Sequence, residues 1–362
     1  MNSNKYLLKF LSKDKFKRIF IIRGNKSFTS SGVKKILDQI KKKKIKYFIK
    51  KSAYPDFLEL KSIISKINVF TPDLIIAIGG GTIIDYAKIA NALRIDKNTK
   101  SDIQKSIYKL FKKTRVLAIP TTAGSGAEVT NNAVIYIDKI KYSIEGDEIK
   151  PDNFFLIPKL ILPASKKIKA SSGFDAIAQA IESLLSKKSN EQSIKYAEKS
   201  LKLSFKNYLE NLYNPTLKNT FAMCLAANLA GKAINISKTT APHAVSYPFT
   251  SFFKISHGHA VSLTLHKFLK FNYDKIKYSS CKFDLKKRFN ILFKISNSNN
   301  IKDFLNFIVS LKRKANLEDN FEKLGINISI DLKKIIKNIN LQRLSNNPIN
   351  LTKNDIKKII QS

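Results

Sequence analysis

The stretch AIGGGTIIDYAKIANAL, residues 77–93, decides the fold. The apolar run LIIAI that leads into it reads as a strand, and the apolar positions after the glycines recur at helical spacing. Glycine weakens regular structure, so three in a row at a strand-to-helix junction mark a place where something approaches the backbone closely. The first N–H groups of a helix have no intrahelical partner, and the helix dipole favours an anion there. A pyrophosphate therefore fits against Gly79, Gly80 and Gly81. Thr82 would be the helix N-cap, with Asp85 three residues on closing a capping box. That capping role is the alternative to a nucleotide contact for Asp85, and a plain tight turn is the alternative for the glycines.

Outward from this stretch the first half alternates strand and helix. RIFIIRG (18–24), IKYFIK (45–50), LIIAIGG (74–80) and RVLAIPT (115–121) read as strands. SGVKKILDQIKKKK (31–44), DFLELKSIISKI (56–67) and IIDYAKIANAL (83–93) read as helices. This alternation predicts a parallel, Rossmann-like sheet, with AVIYID (133–138) and KYSI (141–144) forming an added hairpin. A second glycine-rich segment, IPTTAGSGAEVTNNAVI, begins at Ile119, again at a strand end. It offers the hydroxyls of Thr121, Thr122 and Ser125 between Gly124 and Gly126, and Ser125 with Glu128 makes another candidate capping box. Two such loops on adjacent strand ends suit a phosphate-bearing cofactor. After LILPAS (160–165) helical patterns take over, at 172–186, 190–212, 216–236 and 259–271, while SNSNNIKDF (296–304) reads as a polar loop. The expected organisation is an α/β nucleotide-binding domain over 1–163 and an all-α domain over 164–362, with Pro158 and Pro163 at the join.

The bulk numbers bound the function. The chain has 362 residues, 43% of them hydrophobic, and a net charge of +39. The charge comes from lysines spread along the whole chain, in a composition crowded with Ile and Asn. It reads as compositional drift rather than as a nucleic-acid-binding face, which would gather basic and aromatic residues together. Attraction for small anionic substrates follows in either case. No apolar run reaches the roughly 18 residues of a membrane span, and the first residues do not resemble a signal peptide. Cys224 and Cys281 stand in unrelated contexts, which fits a reducing cytoplasm rather than a disulfide framework.

Of four histidines, three fall within 17 residues: His243, His257 and His259. Upstream, GFDAIAQAIES puts Asp175, Gln179 and Glu182 at i, i+4 and i+7 on one face of an otherwise apolar helix. A buried carboxylate needs a partner, and a metal held by Asp and two imidazoles is one answer. The other is Asp175 as a helix N-cap after Gly173, beside an ordinary histidine-bearing loop.

Taken together, GGGTIIDYAK, PTTAGSGAE, GFDAIAQAIES and HAVSYPFTSFFKISHG resemble the iron-containing (group III) alcohol dehydrogenase family, with its glycerol dehydrogenase-like and dehydroquinate synthase-like relatives, over nearly the whole chain. The resemblance implies a Rossmann-like N-terminal domain, a helical C-terminal domain and a cleft between them. It implies NADPH or NADH on Gly79, Gly80 and Gly81, with Asp85, Thr121, Thr122, Ser125 and Lys141. It implies a divalent metal, Fe²⁺ or Zn²⁺, on Asp175, His243 and His257. Gln179 stands where the family commonly has a histidine ligand, so either its amide oxygen coordinates or a water takes the place. Tyr247 stands where the family often has a second histidine near the reacting oxygen, and His259 is the other candidate proton donor.

Within the family, QAIES, KTTAPHAVSYPFTSFFKISHGHAV and RLSNNP look most like phosphonoacetaldehyde reductases. That likeness implies reduction of phosphonoacetaldehyde to 2-hydroxyethylphosphonate, with Lys238 and Arg343 as cations for the anionic tail. IIRGNKSF, after the first strand, has no acidic residue for a ribose 2′-OH but offers Arg23 and Lys26, which leans towards NADPH. The competing expectations are a dehydrogenase of another small alcohol or polyol, and a catalytically weakened homologue with a binding role, nucleic acid included. A homodimer and a cytoplasmic location complete the expectations.

Overall fold

The computed structural model describes residues 3–12, 16–30, 32–40, 43–339 and 341–362. The chain divides into two compact units, Met1–Thr122 with Gly126–Ser165, and Ala123–Ser125 with Lys166–Ser362.

In the first unit the elements are α1 (Ser3–Leu11), β1 (Arg18–Arg23), α2 (Lys26–Ser30), α3 (Val33–Leu37), β2 (Lys44–Ile49), α4 (Phe57–Phe70), β3 (Leu74–Gly79), α5 (Gly81–Ala92), α6 (Thr99–Lys105), β4 (Arg115–Pro120), β5 (Asn132–Ile137), β6 (Ile140–Glu145), β7 (Asn153–Phe154) and α7 (Pro158–Ile161). β2, β1, β3, β4 and β7 form one sheet in that order, every pair parallel. Alternate residues serve opposite faces. Phe20, Ile22, Ile75, Ala77, Val116 and Ala118 pack with α4 and α5, while Ile19, Ile21, Leu74, Ile76, Leu117 and Ile119 pack with α1 and α3. Both faces are covered, which is why β3 is an unbroken apolar run. β5 and β6 form the antiparallel hairpin. The helix expected over 31–44 is shorter: α3 stops at Leu37, with Asp38 as its C-cap. Residues 31, 41 and 42 of that stretch lie outside the described residues.

Glycines take both N-cap positions. The N-cap of α5 is Gly80, which has no side chain to cap with, so Thr82 sits inside the first turn. Gly126, at φ 59°, precedes a three-residue turn of 3-10 helix over Ala127–Val129 that no side chain caps. Asp85 instead lies buried and accepts the Val134 N–H of the hairpin at 3.2 Å. One turn on, the buried Lys88 ammonium donates to the Ala127 carbonyl (3.0 Å), Thr130 Oγ1 (2.9 Å) and the Asn132 carbonyl (2.6 Å). The polar face of α5 thus anchors the second glycine-rich segment and the hairpin.

The second unit is helical: α8 (Lys166–Leu185), α9 (Glu191–Tyr213), α10 (Leu217–Ser237), α11 (Ala241–Phe253), α12 (His257–Ser262), α13 (Leu265–Asp274), α14 (Leu285–Ser296), α15 (Ile301–Lys314), α16 (Ile328–Lys337), α17 (Leu341–Leu344) and α18 (Lys353–Gln361). α8 is buried along most of its length, packed by α9, α10 and α12. Two glycines set its neighbours' distances. A Cβ on Gly173 would meet the Tyr208 ring of α9 at 2.6 Å, and one on Gly258 would lie 2.0 Å from the Ser171 carbonyl and 2.8 Å from Asp175 Cβ. The helix expected over 259–271 is split at Leu263 and Thr264, and α11 stands ahead of it with Pro242 in its first turn, where a missing N–H costs nothing. The polar loop at 296–304 ends at Asn300, whose side chain caps α15 by accepting the Asp303 N–H. Among the described residues no helix is long and apolar enough to cross a membrane.

Two measurements follow. Gly258→Ala needs no backbone change, since Gly258 is helical, but its Cβ collides with backbone. Overpacking should lower stability by about 1–3 kcal/mol, read as a fall in the unfolding midpoint; an unchanged midpoint would contradict the close α8–α12 packing. Asp85 gives a pH dependence. Burial pushes its pKa up from 3.8 to about 6, against the pull of Lys88, the Val134 N–H and Lys141. With the native value above the unfolded one, the stability this group contributes is complete below about pH 4 and is lost as pH rises through about 6. The stability of the wild type relative to Asp85→Asn should fall by up to about 3 kcal/mol between about pH 4 and pH 7 in denaturant unfolding. A pH-independent difference would contradict the buried placement.

Candidate metal centre and nucleotide loops

The polar stripe of α8 faces inward as expected. Asp175, Gln179 and Glu182 are all buried, and Asp175 lies in the middle of the helix, so it is not an N-cap. Glu182 is held by three donors. Its Oε2 accepts the Thr240 N–H (2.7 Å) and Oγ1–H (2.9 Å), and its Oε1 accepts the Nδ1–H of His243 in a very short hydrogen bond. Thr240 is the N-cap of α11 and His243 stands in that helix's first turn, so one carboxylate fixes both where α11 starts and how the imidazole is turned. His243 Nε2 is left facing Asp175 Oδ1 at 3.2 Å. His257 enters from the start of α12, brought close by Gly258. One donor atom each from Asp175, His243 and His257 lie within 4.8 Å of one another.

The electrostatics favour a cation. Burial opposes a charge on His243, yet Glu182 and Asp175 more than offset it and push its pKa up to about 9. The same two buried carboxylates that favour a positive charge on His243 would favour a divalent cation in that place. Carboxylate oxygen with two imidazole nitrogens, one oriented through its second nitrogen by a carboxylate, is also a fitting donor set for Fe²⁺ or Zn²⁺. A further buried oxygen, Gln179 Oε1, has no hydrogen-bond partner.

The other expected residues fall as follows. Tyr247 is buried one turn after His243 on α11, its ring centroid 6.0 Å from that of His257. His259 does not join the cluster. Two residues on from His257, it faces another side of α12, and its Nε2–H donates to the Glu318 carbonyl at 2.7 Å. His259 is thus tied to the Glu318 segment rather than to Asp175, His243 and His257. Lys238 closes α10 at φ 61° and ψ 174°, a backbone region that is almost reserved for glycine. Arg343 is buried on α17. The segments carrying these two cations are joined where Asn346 Nδ2–H donates to the Thr239 carbonyl at 3.2 Å.

On the sheet, the strand order reverses between β1 and β3, and Gly79, Gly80 and Gly81 stand at the carboxyl end of β3 beside that switch point, where open α/β sheets bind ligands. A Cβ on Gly79 would strike Ile83 at 2.4 Å, and one on Gly80 would lie 3.2 Å from Thr122 Oγ1. The Thr121 N–H donates to the Gly79 carbonyl (3.0 Å), so the two loops lie side by side, and Thr121 Oγ1 is buried without a hydrogen-bond partner. This open glycine backbone and spare hydroxyl, at the start of a twelve-residue helix, fit a dinucleotide phosphate. Lys141 lies on β6 opposite Tyr136, where its charge acts on Asp85. Ser125 falls in the short segment that clusters with the helical unit, since a Cβ on Gly124 would lie 2.8 Å from the Ser172 carbonyl. Arg23 ends β1 with its guanidinium 4.2 Å over the Phe28 ring, while the side chain of Lys26 lies outside the described residues.

One unit is a doubly wound sheet with a glycine-rich switch-point loop, and the other is helical and builds a buried Asp–His–His cluster. The chain belongs to the iron-containing alcohol dehydrogenase family: the family's own pattern matches residues 2–158, and the pattern of its C-terminal region matches residues 169–362. It is 31% identical to aldehyde-alcohol dehydrogenase 2 of Entamoeba histolytica over 293 residues, 76% of this chain and 33% of that protein. It is 32% identical to phosphonoacetaldehyde reductase of Streptomyces viridochromogenes over 212 residues, 56% of this chain and 53% of that protein. The matched stretches thus span about a third and about half of these relatives. Among solved structures, sulfoacetaldehyde reductase of Bifidobacterium kashiwanohense in complex with NAD+ superposes with a TM-score of 0.87 at 25% identity, covering 99% of this chain and 94% of that one.

Glu182 carries a prediction of its own. Glu182→Gln keeps the size of the side chain but removes the charge that orients His243. Calorimetric affinity for Zn²⁺ should fall about 10–100-fold, and an unchanged affinity would show that His243 needs no such orientation.

Proposed function

We propose that the protein reduces a small aldehyde with an anionic tail to its alcohol, phosphonoacetaldehyde to 2-hydroxyethylphosphonate being the favoured case. NADPH or NADH is the hydride donor, and a divalent metal, with Fe²⁺ favoured and Zn²⁺ the alternative, sits on Asp175, His243 and His257. The observation that carries this reading is the buried cluster itself, with Glu182 holding His243 Nδ1–H so that Nε2 is turned towards Asp175 Oδ1. When bound, such a cation supplies Lewis acidity to a substrate oxygen, and the dinucleotide supplies the hydride.

The chain's own residues do the rest. Glu182 keeps the His243 tautomer fixed. Tyr247 is the phenol we assign to deliver the proton to the product oxygen. Gly79, Gly80, Gly81, Thr121 and Thr122 receive the cofactor's phosphates, and Asp85 and Lys141 support the hairpin beside them. Arg23, whose Nε is buried without a hydrogen-bond partner, supports NADPH over NADH. Lys238 and Arg343 bind the anionic tail. Their segments meet through Asn346, whose Nδ2–H donates to the Thr239 carbonyl beside Lys238. The names of two relatives, a phosphonoacetaldehyde reductase and a sulfoacetaldehyde reductase, support an acetaldehyde bearing an acidic group. The reading puts the enzyme in the cytoplasm.

The test strips the protein with a chelator, restores Fe²⁺ or Zn²⁺, and follows NADPH and NADH absorbance with phosphonoacetaldehyde, acetaldehyde, glyceraldehyde and succinic semialdehyde. Metal-dependent turnover fastest on the phosphonate is expected. Equal rates on uncharged aldehydes would contradict the anionic tail, and no turnover with either metal would contradict the reduction itself. Lys238→Gly sharpens the test, because glycine accepts φ 61° and ψ 174° more readily than lysine does. KM for phosphonoacetaldehyde should rise about ten-fold or more, the value of one ion-pair contact of about 1.4 kcal/mol. KM for acetaldehyde should hold, and the unfolding midpoint should hold or rise.

A further inference from the structure

We infer that Gln179 Oε1 is the fourth ligand of the metal centre, and that the resulting two-oxygen, two-nitrogen donor set narrows the site's preference for Zn²⁺ over harder ions such as Mn²⁺ and Fe²⁺. The inference rests on the metal site proposed above and concerns what this chain has put in the place of a histidine.

Gln179 lies one helical turn after Asp175 on α8 and is buried. Its Nε2–H donates to Asp175 Oδ2 at 3.2 Å. A carboxylate only accepts, so turning the amide over would set two acceptors against each other. The hydrogen bond therefore fixes which end of the amide is which. Oε1 is the end left over, and no donor reaches it. A buried carbonyl without a donor is unfavourable, and the same carboxylate that fixes Gln179 offers its other oxygen to the side of His243. A cation shared with Asp175, His243 and His257 satisfies the orphaned oxygen. The spacing of Asp175 and Gln179 by four residues lets one helix face present both oxygens.

The chemical consequence follows from ligand hardness. Affinity at a nitrogen- and oxygen-donor site ordinarily rises from Mn²⁺ through Fe²⁺ and falls back at Zn²⁺ only after copper, so Zn²⁺ outcompetes both. Imidazole nitrogen widens that gap and a neutral amide oxygen narrows it. A site with two imidazoles, one carboxylate and one amide oxygen binds every divalent ion less tightly than one with three imidazoles, and loses most with Zn²⁺.

The experiment uses the full chain stripped of metal, with Zn²⁺ affinity read by competition calorimetry and Mn²⁺ affinity by the electron paramagnetic resonance of the free ion. Gln179→His should tighten Zn²⁺ by about ten-fold or more while Mn²⁺ changes far less. Gln179→Met removes the orphaned oxygen. It also removes the Nε2–H that Asp175 accepts, so it should weaken both ions and lower the metal-free unfolding midpoint, while cooperative unfolding and an unchanged far-ultraviolet circular dichroism spectrum separate a lost ligand from a lost fold. Binding of one ion that Asp175→Ala abolishes, with the Zn²⁺-to-Mn²⁺ ratio unmoved by either Gln179 variant, would overturn this inference and leave the metal site standing. No ion bound by the wild type would overturn both.

Discussion

Glu182 accepts three hydrogen bonds in a place water does not reach, and the helical unit is arranged around that fact. An unpaired carboxylate there would be strongly destabilising, so its partners are held in place as firmly as it is. The N–H and hydroxyl of Thr240 set the first residue of α11, and the Nδ1–H of His243 sets the angle of the ring one turn along. From the same helix Asp175 meets the far side of that ring. The geometry of the cluster is therefore a property of α8, which acts as a ruler carrying one carboxylate on each side of the His243 ring.

What lets other elements reach α8 is the absence of side chains at chosen points. Gly258 allows the start of α12 to press on the Ser171 carbonyl, which brings His257 to Asp175, and Gly173 admits the ring of Tyr208 from α9. On the sheet the same device serves a different end. Gly79 and Gly80 stand where a Cβ would fill the space beside Ile83 and Thr122, while Lys88 and Asp85 hold the neighbouring segment from below. Close packing inside each unit and open backbone at the strand ends are two uses of one residue.

Much of this was legible in the sequence where the signal is local. The strands of the sheet stand out because both of its faces are covered, and the stripe of Asp175, Gln179 and Glu182 is a matter of helical period. The glycine loop announces itself after β3. What was not legible depends on partners far away in the chain. Glu182 reads as one more polar residue until Thr240, 58 residues on, is seen to donate to it. Nothing local marks Lys88 as buried, since its acceptors lie 39 to 44 residues downstream. Thr82 and Ser125 match a capping pattern, but glycines one or two residues away take the cap positions. His259 sits in a histidine cluster by sequence and faces the Glu318 carbonyl in space. His257 and Gly258 are adjacent letters whose joint purpose appears only when α12 meets α8.

A divalent ion held by the buried Asp175–His243–His257 cluster, as proposed, would be visible directly. Crystals of the protein grown with Fe²⁺ or Zn²⁺ and measured at the metal's absorption edge test it most directly. One strong anomalous peak per chain is expected, within bonding distance of Asp175, His243 and His257, with Glu182 still on His243 Nδ1. Crystals with no peak at the cluster, and His243 still lying between the two carboxylates at saturating metal, would contradict it.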